Sequence, residues 1–250
     1  MSYLSIQKVS KSFGGHTVLN GVDMEIDAGR IYQLIGSNGS GKTTLINIIS
    51  GLFPLDSGRI IFNGKDITNT SLLDTFKSGL VRTWQIPQPF TSLTTLENFL
   101  VASKGNIGES ILGPLNLQWK KNEREIMNNA SQVLKMVDSD QKVDTKSQNL
   151  SGGQLKLLEL GRALMSKSKM ILMDEPIAGV NPTLAHTIFK KISEICKKQK
   201  ITFLIVEHRL DISLQYVDHV FALDEGKIIV DGKPDDVINH PKVVESYLGK

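Results

Sequence analysis

The sequence predicts an α/β protein with a parallel-sheet core, an antiparallel β layer beside it and a helical subdomain. Three observations carry this expectation. The apolar run Ile31-Tyr32-Gln33-Leu34-Ile35 passes through a glycine-rich turn into Leu45-Ile46-Asn47-Ile48-Ile49-Ser50, which reads as a helix. Two more apolar runs, residues 170–173 and 201–206, end abruptly in Asp174-Glu175 and Glu207-His208, as strands buried on both faces do. Before them all, residues 4–10 and 18–26 alternate apolar and polar side chains, the pattern of half-buried strands.

Composition sets the outer bounds. A chain of 250 residues with 40% hydrophobic content can bury a full core as one domain, with room for a subdomain. Its net charge of +3, from 29 basic and 26 acidic residues, is too balanced to imply nucleic acid as the main partner. Lys120-Lys121 and Lys197-Lys198 read as solvated helix faces. The single cysteine, Cys196, excludes an internal disulfide and a cysteine metal cluster, and reads as a packing residue. The first five residues lack the basic start and long apolar core of a signal peptide. No apolar run approaches the roughly 20 residues of a spanning helix. A cytoplasmic protein is expected, with any membrane role supplied by a partner.

In chain order, Leu4 to Ser10 forms the first strand and Lys11-Ser12-Phe13-Gly14-Gly15 a turn; the second strand then runs to Asp27-Ala28-Gly29. Phe13, an aromatic beside a glycine turn, can stack on a base or cap the sheet edge. The decisive stretch is Gly36-Ser37-Asn38-Gly39-Ser40-Gly41-Lys42-Thr43-Thr44. Glycines let successive backbone N–H groups curl around an anion, and the helix N-terminus adds partial positive charge. Strand, glycine turn, Lys-Thr and helix together make a phosphate-binding loop. Lys42 would then sit on the β- and γ-phosphates, and the Thr43 hydroxyl would ligate Mg²⁺. A bare surface turn would not need the flanking strand and helix.

Gly51-Leu52-Phe53-Pro54 stops the helix, and Gly58 to Gly64 reads as a strand entering an Asn-Gly turn. Residues 80–85 form a short strand ending at Gln85, and Pro87 and Pro89 mark a subdomain boundary. From Thr95 to about Ser147 the pattern is helical. Leu96, Phe99 and Leu100 share one face, as do Ile126, Val133, Leu134 and Val137, while residues 104–116 read as a loop. Leu150-Ser151-Gly152-Gly153-Gln154 opens another helix, and its Ser-Gly-Gly turn is either a second anion cradle or only an N-cap. On a strand the adjacent Asp174 and Glu175 would point to opposite faces and take different roles. At the carboxyl end of a parallel strand both lie where ligands bind. His208 reaches the same edge, where an imidazole can contact a γ-phosphate. Residues 217–223 and 227–230 read as a hairpin, and two short helices follow Pro234, ending in Tyr247-Leu248-Gly249.

These signals, in this order, resemble the nucleotide-binding subunit of an ATP-binding-cassette (ABC) transporter, and the resemblance spans essentially the whole chain. Gly36 to Thr43 matches Walker A, Gln85 the Q-loop glutamine and Leu150-Ser151-Gly152-Gly153-Gln154 the family signature. Met170 to Glu175 matches Walker B with its catalytic glutamate, His208 the switch histidine and Phe13 the adenine-stacking aromatic. The implied fold is a P-loop NTPase (ABC ATPase) cassette: residues 1–85 and 149–250 form a RecA-like core with its antiparallel layer, and residues 86–148 the helical subdomain. The implied cofactors are ATP and Mg²⁺, the metal held by Thr43, Gln85 and Asp174. Glu175, His208, Lys42 and Gln85 would carry catalysis. Phe13, residues 36–44 and Ser151, Gly152, Gly153 and Gln154 would bind nucleotide, the last four across a dimer.

Arg82-Thr83-Trp84-Gln85, the run from Glu175 to Pro182, the Tyr-Leu-Gly ending and the length further resemble the branched-chain amino acid importers, although Asn181 stands where aspartate is usual. Exporters of the lipopolysaccharide type share parts of this pattern. The implied partners are membrane permease subunits, a second ATPase subunit (identical or paralogous) and a solute-binding protein through the permease, with no nucleic acid. The implied location is the inner face of the cell membrane. A DNA-repair ATPase would carry a long coiled coil or zinc insertion, and a translation ATPase two cassettes; this sequence has neither.

Overall fold

The computed structural model describes residues 2–104 and 118–248, so all but the first residue of the loop read at 104–116 lies outside the described residues, as does Gly249. The chain divides into two compact units: Met1–Gln85 with Lys169–Ala178 and Ala185–Lys250, and Ile86–Ser168 with Gly179–Leu184. The division falls directly after Gln85. The second unit is wider than the 86–148 read from the sequence, because residues 149–168 and 179–184 group with it.

The first unit holds two sheets. Strands β1 (Leu4–Phe13), β2 (His16–Ile26), β4 (Ser57–Phe62) and β5 (Lys65–Asp66) pair antiparallel in the order β2-β1-β4-β5. Strands β3 (Ile31–Ile35), β6 (Leu80–Arg82), β7 (Met170–Asp174), β8 (Thr202–Val206), β9 (His219–Asp224) and β10 (Lys227–Gly232) form the other sheet, ordered β10-β9-β3-β8-β7-β6. All its pairings are parallel except the edge pair β9–β10. Alternation explains why both faces are apolar. Tyr32, Leu34, Met170, Leu172, Leu204, Val206, Phe221 and Leu223 turn into one core with the inner face of β1, β2 and β4. Leu45, Ile46, Ile48 and Ile49 of helix α1 (Lys42–Ile49) pack in that same core, which places the phosphate-loop helix between the two sheets. Strand β6 is shorter than the sequence suggested. Its last pair is Arg82 with Leu172, and the Thr83 N–H still reaches the Leu172 carbonyl at 2.9 Å, after which ladder pairing ends.

Helix α2 (Leu72–Ser78) leads into β6. In the second unit, α3 (Thr95–Val101), α4 (Gln118–Met136) and α5 (Gly152–Met165) pack together. Phe99, Ala130, Val133, Leu134, Val137 and Leu157 are buried there. The fully buried Asn98, absent from the sequence reading, ties this unit's entry loop. Its side chain accepts from Phe90 N–H at 2.9 Å and donates to the carbonyls of Phe90, Leu93 and Thr94 at 3.1, 3.3 and 2.9 Å. Helix α6 (Pro182–Gln199) begins in this unit and continues in the first, where Ile188, Phe189, Ile192 and Cys196 are buried. A one-turn helix, α7 (Leu210–Ser213), follows β8, and α8 (Pro234–Ile238) and α9 (Pro241–Leu248) close the chain. Among the described residues no helix is long and apolar enough to cross a membrane.

Candidate nucleotide and active site

Parallel pairing sends the carboxyl ends of β3, β8, β7 and β6 to one edge of the first unit, and that edge gathers most of the residues read as functional. Gly36 to Gly41 form the loop between β3 and α1. Asn38 and Gly39 are exposed at its tip, while Gly36, Ser40 and Gly41 are buried. Gly41 is the residue before α1, at φ +108°, and a Cβ there would meet the Val18 carbonyl oxygen at 2.9 Å, so only glycine fits. Lys42 is 6% exposed and folds back under the loop, its Nζ donating to the Gly36 and Ser37 carbonyls at 2.9 and 2.8 Å. Burial pushes its pKa down, with Glu175 and Asp174 opposing that shift. Thr43 is exposed and Thr44 half-buried. Ser37 Oγ lies 3.4 Å from Asp224 Oδ1 at the end of β9.

Two features of this loop suit a phosphate group. The N-terminus of α1 has no side-chain cap and no acidic residue in its first turn, so its leading N–H groups have no intrahelical partner and no carboxylate of the helix itself competes for them. Ser40 Oγ is buried without a hydrogen-bond partner among the described residues, a cost that a bound anion or ordered water would remove.

Asp174 is the last residue of β7 and Glu175 has already left the strand, at φ +50°. The expectation that strand alternation separates the two carboxylates is therefore corrected: a left-handed turn of the backbone separates them. The Asp174 side chain is 7% exposed and Arg82 Nη2 lies 3.2 Å from its Oδ2, with the Arg82 side chain only 5% exposed. Arg82 also donates from Nη1 to Asn47 of α1, and its guanidinium lies over the Trp84 ring, 4.7 Å from the centroid. Burial raises the Asp174 pKa and Arg82 pulls it back down, while Glu175 adds to the rise. Glu175 is held from two sides: Gln85 Nε2 donates to Oε2 at 2.7 Å, and His208 Nε2 lies 3.3 Å from Oε1. The structure thus brings together Gly36–Thr44, Gln85, Asp174, Glu175 and His208 at one edge of one unit. No set of three or more His, Cys, Asp or Glu is gathered as a metal site among the described residues. A hydroxyl and one carboxylate, as in Thr43 and Asp174, are the sparse protein donors that Mg²⁺ takes when substrate phosphates complete its shell.

Phe13 ends β1, 44% exposed, with its ring edge-to-face on Phe53 at 5.7 Å and Lys11 Nζ 5.3 Å from its centroid. The ring is anchored by Phe53 yet remains partly exposed, so the stacking and sheet-edge readings are both compatible with it.

Ser151 to Gln154 belong to the second unit. Ser151 caps α5, its Oγ accepting from Gln154 N–H at 3.4 Å while Gln154 Oε1 accepts from Ser151 N–H at 2.8 Å. This is a capping box. Ser151 and Gly152 are exposed. Gly153 is buried, and a Cβ there would meet Leu184 Cδ2 at 2.0 Å, so the turn packs closely against the start of α6.

Sequence reasoning gave no site role to Arg82, Asn47 or Glu207. Arg82 was legible only as a cation on a short buried strand, and Glu207 as an acid ending an otherwise apolar one.

Fold and edge together define an α/β phosphate-loop nucleotide hydrolase. The family described as ABC transporter matches residues 19–178, and the family described as branched-chain amino acid ATP-binding cassette transporter matches residues 227–250. A probable branched-chain amino acid transport ATP-binding protein LivG of Archaeoglobus fulgidus is 49% identical, with 100% of this chain and 96% of that protein covered. The protein so named in Methanocaldococcus jannaschii is 46% identical, covering 100% of this chain and 98% of its own length. Among solved structures, a nucleotide-free ATP-binding cassette from an ABC transporter superposes with a TM-score of 0.86 at 44% identity, and an ADP conformation of such a cassette with 0.86 at 45%, both over 100% of each chain. The chain belongs to the ABC transporter family and is an ATP-hydrolysing subunit that powers such a transporter.

Proposed function

We propose that this chain drives an importer of branched-chain amino acids, or of similar small polar solutes, by binding and hydrolysing ATP on the cytoplasmic face of a membrane permease. The substrate class is supported by 49% identity over the full chain to a probable branched-chain amino acid transport ATP-binding protein, and by the separate match of residues 227–250. The observation that carries the chemistry is Glu175, a carboxylate beside the phosphate loop whose two oxygens face an amide and an imidazole.

In this reading, residues 36–44 cradle the phosphates through backbone N–H groups, and Phe13 stacks on adenine. Lys42 exchanges its two carbonyl partners for phosphate oxygens. Glu175 orients water and takes its proton as water attacks the γ-phosphorus and the bond to the β-phosphate oxygen breaks, giving ADP and inorganic phosphate. His208 holds the γ-phosphate. Bound Mg²⁺, held by Thr43, Gln85 and Asp174, would neutralise phosphate charge. Gln85, the last residue in the chain before the helical unit, senses the ion, and the helical unit docks the permease. Ser151 to Gln154 complete the site of a second ATPase subunit, identical or paralogous, in a head-to-tail dimer. A solute-binding protein delivers cargo to the permease.

Glu175→Gln tests the catalytic assignment. Turnover should fall about 100-fold or more while ATP binding persists; undiminished turnover removes Glu175 from the mechanism.

A further inference from the structure

Glu207 closes strand β8 beside His208 and has no part in the mechanism above, yet it is 3% exposed. A buried carboxylate with no cation paired to it among the described residues demands an explanation, because burial disfavours its charge unless hydrogen bonds replace water. Here they do. Oε1 accepts the N–H groups of His208 and Arg209 at 2.9 and 3.3 Å, and Oε2 accepts the N–H of Ile177 at 3.3 Å. Burial raises the group's pKa and these three N–H groups act against the rise. Its backbone is also anchored, because Gln33 of β3, fully buried, donates from Nε2 to the Glu207 carbonyl at 3.3 Å.

The positions of those N–H groups matter more than their number. His208 carries the imidazole. Ile177 lies two residues beyond Glu175, in the turn whose Ala178 N–H returns to the Glu175 carbonyl at 3.2 Å. The Glu175 N–H in turn reaches the Val206 carbonyl of β8 at 2.9 Å. One carboxylate therefore holds both loops that present the His208–Glu175 pair, whose side chains lie 3.3 Å apart. Either loop alone could be held by an ordinary cap; a buried acid spanning the two couples them.

We propose that Glu207 is a positioning residue for ATP hydrolysis, a brace that fixes the switch-histidine loop against the loop following the catalytic carboxylate. The proposal rests on the roles given above to Glu175 and His208. It extends them by assigning a function to a side chain whose hydrogen bonds go to the backbone of the two loops. Misplacing reacting groups by about 1 Å can cost up to about 100-fold in rate, so the brace should act on turnover more than on binding.

The test is Glu207→Gln in the full chain, a change that keeps shape but turns one acceptor into a donor facing backbone N–H groups. The kcat should fall about tenfold while KM for ATP stays within about twofold. Introduced into His208→Ala, the same change should cost a clearly smaller factor, because one of the two side chains that the brace positions is already removed. In histidine NMR, the His208 resonances should move while those of His16, His186, His219 and His240 stay. Unchanged kcat, or an equal fractional loss in both backgrounds, overturns the proposal. If His208→Ala keeps full turnover, the reading of His208 falls and takes the proposal with it; if only Glu207→Gln keeps it, the brace alone falls. Hydrogen exchange on the unaltered chain tests the contact without a variant. The amides of Ile177, His208 and Arg209 should exchange slowly, and fast exchange at either loop rejects the brace.

Discussion

Two helices begin at glycine-rich turns, and the two beginnings are finished differently. At α1, in the first unit, Gly41 offers no side-chain cap and the first turn holds no acid. At α5, in the second, Ser151 and Gln154 satisfy each other's backbone N–H groups in a closed capping box. An α-helix leaves its leading N–H groups unpaired, so the open end keeps its donors for an anion and the closed end has spent two of them. The comparison separates a phosphate loop whose helix donors stand open from a turn that is already a stable helix start and that, in the proposed reading, completes the site of a second subunit.

Removing the cation at the open end should have the largest effect. Lys42→Ala should weaken ATP binding about 100-fold, roughly the 2.7 kcal/mol of a charge-assisted contact, as measured by fluorescent-nucleotide titration. A loss of only a few-fold would mean that backbone N–H groups alone hold the phosphates. Next comes the closed end. Ser151→Ala should leave ATP affinity unchanged yet lower turnover at least about tenfold, with about 1 kcal/mol lost from stability with the cap. An affinity loss matching that of Lys42→Ala would erase the distinction between the two ends. The smallest effect sharpens it. Thr94 and Glu97 form the same box at α3, with bonds of 3.2 and 2.7 Å. Thr94→Ala should also cost about 1 kcal/mol in thermal or denaturant unfolding but leave ATP turnover intact. If it slows turnover as Ser151→Ala does, the effect at Ser151 is only lost helix stability.

The Glu175 neighbourhood shows how far sequence reasoning reached. Apolar runs of four and six residues, 170–173 and 201–206, ending in acids were enough to identify buried parallel strands, because only such strands lack a polar face. Gln85, Asp174, Glu175 and His208 could then be placed at strand ends, and the structure puts them on one edge. The side chains that complete that edge could not be read in the same way. Arg82 alternates into the sheet beside Asp174 only because β6 pairs with β7 in one particular register. Glu207 becomes a brace only because β8 lies beside β7. The turn at Glu175 was misread as strand because a left-handed φ at a glutamate has no local signature. Asn98 shows the same limit in the helical unit: within a helical pattern it reads as a polar surface position, and only the looped chain around it supplies four partners.

The sequence by itself determined the element types, the phosphate loop and the identities of the residues at the strand ends. Those features arise from local periodicity, glycine backbone freedom and the abrupt change from apolar to charged side chains, all of which act within a few neighbouring residues. Tertiary structure alone decided which polar groups meet: Asp174 with Arg82, Glu175 with Gln85 and His208, and Glu207 with three backbone N–H groups. Such pairings depend on strand order and register, which bring together residues up to about 90 positions apart, and local pattern carries no information at that range.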